Sequence, residues 1–154
     1  MKDTKAALNW IITLLNENNI SYQIVGGLAA KTHGATRELV DIDMYVAGAD
    51  FQKVCVLVKS FTIWGPKVYK DDHWDCEYVK MNHSNQNIEI GNSDNTKRFD
   101  HENNVWVSEK IDYSKSEKKE FLGIKIKVMP KKQLIEYKRK LNREVDVIDI
   151  QQMG

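Results

Sequence analysis

Cysteine is scarce in this chain. Cys55 and Cys76 are the only two in 154 residues, too few for a disulfide framework and in keeping with a reducing compartment. Proline occurs twice and glycine eight times, with no Pro-, Gly- or Ser-rich tract to mark a linker. The expectation is therefore a single domain over 1–154, a length that allows one ordinary core and hardly a second. No apolar run approaches a membrane span, and the opening MKDTKAALNW lacks the charged-then-apolar order of a signal peptide. This points to a soluble, cytoplasmic protein with no membrane partner. A dominant charge sign is missing too: 23 Lys and Arg against 22 Asp and Glu leave a net charge of +1. That balance argues against general nucleic-acid coating, though not against one basic pocket. It hides local order, because acids gather around residues 38–50 and basic residues crowd 115–143.

What is present is 42% hydrophobic residues in alternating helical and strand periods. Leu8, Ile11, Ile12 and Leu15 predict an amphipathic helix from about Thr4 to Glu17, ended by Asn18 and Asn19. Residues Tyr22 to Val25 read as a short strand that stops at Gly26-Gly27, and Leu28 to His33 as a short helix ended by Gly34. After a loop from Ala35 to Leu39, the run VDIDMYV alternates with the period of a half-buried strand, so Asp41 and Asp43 share the face opposite Val40, Ile42, Met44 and Val46. Asp50 is placed to cap a helix with Phe51, Val54, Cys55 and Val58 on its buried stripe, ending near Ser60. Residues 61–70 read as a strand broken at Gly65-Pro66. Cys76 to Met81 should pair with Asn87 to Gly91 across a turn from His83 to Gln86, leaving Glu89 opposite the inward Ile88 and Ile90. Residues 92–104 read as a polar loop and Val105 to Val107 as a short edge strand. Ile124, Ile126 and Val128 alternate with lysines, and two helices follow, one from Pro130 to about Leu141 and one from Glu144 to Gln152.

The unit with chemical content is VGGLAAKTHGATRELVDIDMYV. A glycine turn that opens a helix lets backbone N–H groups approach phosphate oxygens. Carboxylates at i and i+2 of a strand lie roughly 6.5 Å apart, suited to flanking one Mg²⁺ or straddling two. Asp41 and Asp43 are the candidate metal ligands, Glu89 on a neighbouring strand has the parity to be the third carboxylate, and Gly26 and Gly27 are the candidate phosphate cradle. Alone, an Asp-x-Asp on an amphipathic strand is often a solvated face. The glycine turn ahead of it and Glu89 behind it favour the site.

These residues resemble the nucleotidyltransferase superfamily that includes DNA polymerase beta, and within it the branch of lincosamide and aminoglycoside nucleotidyltransferases. The resemblance lies in the order Gly26-Gly27, Arg37, Asp41-Ile42-Asp43 and Ile88-Glu89-Ile90, with a supporting tail at Lys138, Arg143, Asp146 and Asp149. It departs from the branch in two places: many members carry Gly-Ser in the turn, and the third carboxylate is more often Asp. The longer Glu89 moves its carboxylate by about an ångström, which leaves it open as a metal ligand or as a base acting on the acceptor. The resemblance implies an α/β (α+β) nucleotidyltransferase fold, a small mixed twisted sheet with flanking helices mainly on one face and the acidic site on its open edge. It implies a nucleoside triphosphate, Mg²⁺ or Mn²⁺ on Asp41, Asp43 and Glu89, and phosphate contacts from Gly26, Gly27, Arg37 and Lys138. It also implies a hydroxyl acceptor, either a small molecule such as an antibiotic or another macromolecule.

Plainer readings stand beside several of these residues. Arg37 is equally a loop surface residue, Lys138 reads as a helix-surface lysine, and Arg143 with Asp146 reads as a local ion pair. His73, Cys76 and His83 are too irregularly spaced for a structural zinc site. Trp64, Trp74 and Trp106 should pack the sheet, with one of them available to line an acceptor pocket. The chain is too short to grip a template as a polymerase does. Its rival function is a nucleotide-binding or antitoxin-like protein of the same fold without turnover. Because one small core leaves little surface to enclose a second substrate, a homodimer or partner chain is expected, with loop 92–104 or the C-terminal helices bordering the acceptor.

Overall fold

The computed structural model describes residues 1–154. Helix α1 (Thr4–Glu17) starts where the Asp3 carboxylate accepts from the Ala6 N–H, and its apolar stripe is completely covered. Strand β1 (Tyr22–Val25) runs directly into α2 (Gly26–Thr32). The helix thus begins at the two glycines rather than at Leu28, because Gly26 takes the turn itself with φ +61°. Next come β2 (Asp41–Val46) and α3 (Gly48–Leu57). Val40 stays outside the strand and exposed, contrary to its place in the alternation. Asp50 does not cap α3 but lies inside its first turn. The Gly48 N–H is instead taken by the Asp94 carboxylate, 2.7 Å away and 46 residues further along the chain.

Strands β3 (Thr62–Lys70), β4 (Trp74–His83) and β5 (Gln86–Asp100) form an antiparallel meander. The β4–β5 turn is tight because Ser84 and Asn85 both adopt positive φ. Strand β5 is the main departure from the expected layout: residues 92–100 continue the strand, and only His101 to Asn104 make a turn before β6 (Val105–Ser108). The polar stretch is held from both sides, by β4 and β6 through the backbone and by side chains such as Ser93, which donates to the Val46 carbonyl. The hairpin of β7 (Glu117–Phe121) and β8 (Ile124–Val128) and the helices α4 (Lys131–Leu141) and α5 (Glu144–Met153) complete the chain.

All strands join one mixed sheet in the order β3-β4-β5-β2-β1-β8-β7, with β6 on the far half of β5. The β2–β5 and β1–β8 pairs are parallel and the rest antiparallel. On one face Ile42, Met44, Ile88 and Ile90 are almost completely buried, with α1 and α3 packed against β5. Each such side chain contributes about 1.5–3 kcal/mol on burial. The other face carries Asp41, Asp43 and Tyr45. Helix α4 packs there, its Tyr137 hydroxyl 3.5 Å from that of Tyr45. The helices therefore cover part of both faces, and the acidic row lies at the centre of the sheet, not on an open edge. No helix is long and apolar enough to cross a membrane.

Candidate active site

The parallel register of β2 and β5 puts Asp43 directly beside Glu89 and Asp41 beside Asn87. Side-chain alternation then turns Asp41, Asp43 and Glu89 to one face, where one oxygen from each lies within 4.8 Å of the others. Burial is the largest influence on Asp43 and raises its carboxyl well above the usual range, with the charges of Glu89 and Asp41 pushing the same way. Burial followed by Glu89 also raises Asp41. Lys80, opposite Glu89 in the β4–β5 register, reaches it at 3.5 Å. Asp43 Oδ1 is buried with no hydrogen-bond partner. An unpartnered carboxylate oxygen inside a cluster of three carboxylates fits a hard cation, which takes oxygen ligands and offsets the mutual repulsion.

Gly26 closes this site from the β1 side. A Cβ there would lie 2.7 Å from Asp43 Oδ2, so the turn touches the carboxylate, which a side chain at this position would have to displace. Beside it, Gly27 lets the Arg37 guanidinium come near, since a Cβ at that position would be 3.4 Å from Nη2. Arg37 is clamped by Asp149, with Nε and Nη2 donating to its two oxygens at 3.2 and 2.9 Å. Lys138 is not a surface lysine. It is 1% exposed, and its ammonium bridges Asp149 at 3.1 Å and Asp146 at 3.3 Å. Arg143 pairs with Asp146 at 2.8 Å, as its spacing suggested. Burial alone would raise the Asp149 carboxyl, but hydrogen bonds from Arg37 and Lys138 outweigh it and hold it below its ordinary value. Asp146 is held down in the same way, against burial, by Arg143 and Lys138. Three cations against two carboxylates leave this network with an excess of one positive charge. Arg37, Lys138 and Arg143 line a polar cavity of about 180 Å³ together with Gly26, Gly27, Asp41 and Asp43.

A second, larger cavity of about 310 Å³ meets the first at Gly26, Asp43 and Arg143. Five aromatic residues line it: Tyr45 from β2, Tyr69 and Tyr78 from β3 and β4, Trp74 from the start of β4, and Tyr137 from α4. Glu89 opens into this cavity and not into the polar one; Asp41 does the reverse. Burial, then the Glu89 charge, pushes the Tyr78 phenol up to about 12, and burial pushes the Cys76 thiol up to about 12. Both wall groups are therefore neutral near pH 7.

The sheet thus brings Asp41, Asp43 and Glu89 together, with Gly26, Gly27, Arg37 and Lys138 lining the polar cavity beside Asp41 and Asp43. Of the three strand tryptophans, Trp74 reaches the larger cavity, whereas Trp64 stacks on Tyr78 and Trp106 packs on Phe99. His73, Cys76 and His83 do not converge: His83 stacks on Trp10 and His73 contacts His101. Tyr69, Tyr78, Tyr137 and the cavity-lining side of Arg143 were missed from sequence. Alternation along β4 holds a signal for Tyr78, since it shares the parity of Lys80, the residue opposite Glu89.

This architecture is the nucleotidyltransferase fold. A candidate nucleotidyltransferase from Thermotoga maritima superposes with a TM-score of 0.75 at 17% identity, covering 98% of this chain and 93% of that one. The lincosamide antibiotic adenylyltransferase LnuA, solved bound to lincomycin, superposes with a TM-score of 0.66 at 17% identity over 99% of this chain and 98% of its own. ANT(2'')-Ia, solved with adenylyl-2''-tobramycin, gives 0.60 at 14% identity over 96% and 86%. At these identities the likeness establishes the fold alone. No family model matches the sequence, and no curated protein matches it.

Proposed function

We propose that this protein is a nucleotidyltransferase that moves a nucleoside monophosphate from a nucleoside triphosphate to a hydroxyl acceptor. The observation that carries the reading is the convergence of Asp41, Asp43 and Glu89, with a buried Asp43 oxygen that no protein donor satisfies, at the junction of a basic and an aromatic cavity. Asp41, Asp43 and Glu89 would hold divalent cations, Mg²⁺ or Mn²⁺, which when bound offset the charge developing on phosphate oxygens. The polar cavity suits the triphosphate. The Gly26-Gly27 backbone admits close approach, and Arg37, Lys138 and Arg143 supply the net positive charge. The acceptor oxygen attacks the α-phosphorus and forms a new P–O bond as the bond to the α–β bridging oxygen breaks. Pyrophosphate leaves, and the hydroxyl proton passes to a carboxylate.

Of the three carboxylates, Glu89 alone lines the aromatic cavity without also lining the polar one, which favours it as the proton acceptor. As a base, Glu89→Gln leaves triphosphate affinity nearly intact and slows the chemical step by about 10²- to 10⁴-fold. As a ligand, it also weakens metal affinity, and raised Mg²⁺ or Mn²⁺ restores part of the rate. The direct test of activity is transfer of label from α-labelled triphosphates, with Mg²⁺, to components of a cell extract. Labelled product supports turnover. Tight metal-dependent binding without labelled product supports the rival, a nucleotide-binding protein of the same fold. In this reading helix α4 borders the acceptor side through Tyr137, and residues 92–100 belong to strand β5.

A further inference from the structure

The two cavities are chemically opposed, and that opposition limits what the acceptor is. In an in-line displacement the attacking and leaving oxygens lie on opposite sides of the phosphorus. If pyrophosphate leaves toward Arg37 and the glycine turn, the nucleophile arrives from the side that Glu89 faces, which is the aromatic cavity. This step rests on the nucleotidyl-transfer reading above.

The walls there are two sets of rings. Tyr69 and Tyr78 meet edge to face with centroids 6.2 Å apart, Trp64 stacking behind Tyr78 at 4.5 Å. Trp74 and Tyr137 meet at 5.8 Å, with the Arg98 guanidinium over Tyr137 at 5.1 Å. Beyond Asp43 and Glu89, the one charged residue lining the cavity is Arg143, and Lys80 adds a cation beside Glu89. Both carboxylates on these walls, Asp43 and Glu89, belong to the reaction centre in this reading, so an acceptor carrying several ammonium groups would find no further carboxylate to pair with and would meet Arg143. At about 310 Å³ the space is at the small end for a ligand cavity.

We propose that the aromatic cavity is the acceptor subsite and that it takes a flat, largely apolar, non-cationic molecule bearing a hydroxyl, one or two rings in size. Tyr69, Trp74, Tyr78 and Tyr137 line the space for the planar body while its hydroxyl projects toward Glu89. The same walls disfavour a polyamine sugar, which has more ammonium groups than they have free carboxylates.

A nucleobase shares the ring chemistry, so the experiment must separate it from an acceptor. 2-Naphthylmethanol is titrated calorimetrically into the protein with Mg²⁺, with and without saturating α,β-methylene-ATP, and tobramycin is titrated in parallel. The expected result is that the naphthyl alcohol binds whether or not the analogue is present, and that tobramycin binds at least tenfold more weakly. Tyr69 is 40% exposed on an edge strand, so Tyr69→Glu leaves the fold intact. The variant weakens the naphthyl alcohol roughly 2- to 10-fold, the range that one lost aromatic contact carries. Displacement of the alcohol by the analogue would assign the rings to the base and overturn the proposal. So would tobramycin binding as tightly as the alcohol, or no binding of the alcohol at all. The analogue's own titration tests the parent reading separately: if it fails to bind with Mg²⁺, nucleotidyl transfer falls, and the acceptor role falls with it.

Discussion

Gly26→Ala separates the energetic from the functional consequence of one methyl group. The residue has φ +61°, and the added Cβ would lie 2.7 Å from Asp43 Oδ2 and 3.3 Å from Asp43 Cβ. Left-handed backbone costs a residue with a side chain about 1–2 kcal/mol. The clash itself adds little, because the nearest atom is the end of a side chain that can rotate away. The expected loss of stability is therefore about 1–2 kcal/mol, roughly 2–4 °C of Tm per kcal/mol for a chain of this size. The functional loss is larger. Rotation moves the most buried carboxylate of the site by about 1 Å, and misplacement on that scale costs on the order of 100-fold in rate. Urea unfolding gives the first quantity and Mg²⁺-dependent transfer or triphosphate binding the second. A variant that keeps wild-type affinity and rate while losing the expected stability would show that Asp43 need not stay where Gly26 holds it. The link between turn and site would then be wrong.

Two further outcomes follow from the charge network behind the turn. Lys138→Met leaves Asp146 and Asp149 without their shared cation in a buried setting; breaking such a pair costs about 3–5 kcal/mol. Chemical denaturation reads it, and a loss below about 1 kcal/mol would mean that Arg37 and Arg143 suffice. Asp146 and Asp149 have folded-state values below their ordinary ones, so their contribution is complete above the unfolded value of about 4 and is lost as pH falls through the lower folded values. Unfolding free energy should therefore drop below about pH 4, and Asp149→Asn should flatten that dependence; an unchanged acid limb in the variant would remove Asp149 from the account.

The parts of the site that were legible in the sequence are those set by local periodicity. Alternation in VDIDMYV and NIEI fixed the parity of Asp41, Asp43 and Glu89, and the parallel register then had only to bring the strands together. Features set by distant partners were not legible. NSDNTKRFD has the composition of a loop, with low strand propensity, yet it is strand because β4 and β6 pair with its two sides. Asp50 looked like the cap of α3 because the true partner of Gly48, Asp94, lies 46 residues away on the neighbouring strand β5. Lys138 looked solvated because its two carboxylates come from the next helix. The central position of the acidic row depended on strand order, which periodicity does not encode.

The central claim is that Asp41 and Asp43 hold the metal that a bound triphosphate requires. Calorimetric titration of α,β-methylene-ATP into the wild type, Asp41→Asn and Asp43→Asn, each with Mg²⁺ and with EDTA, tests it most directly. The account predicts binding by the wild type only with Mg²⁺. It predicts a loss of about tenfold or more in each variant, with circular dichroism unchanged because neither side chain lies in the apolar row. Full Mg²⁺-dependent affinity in both variants would contradict it.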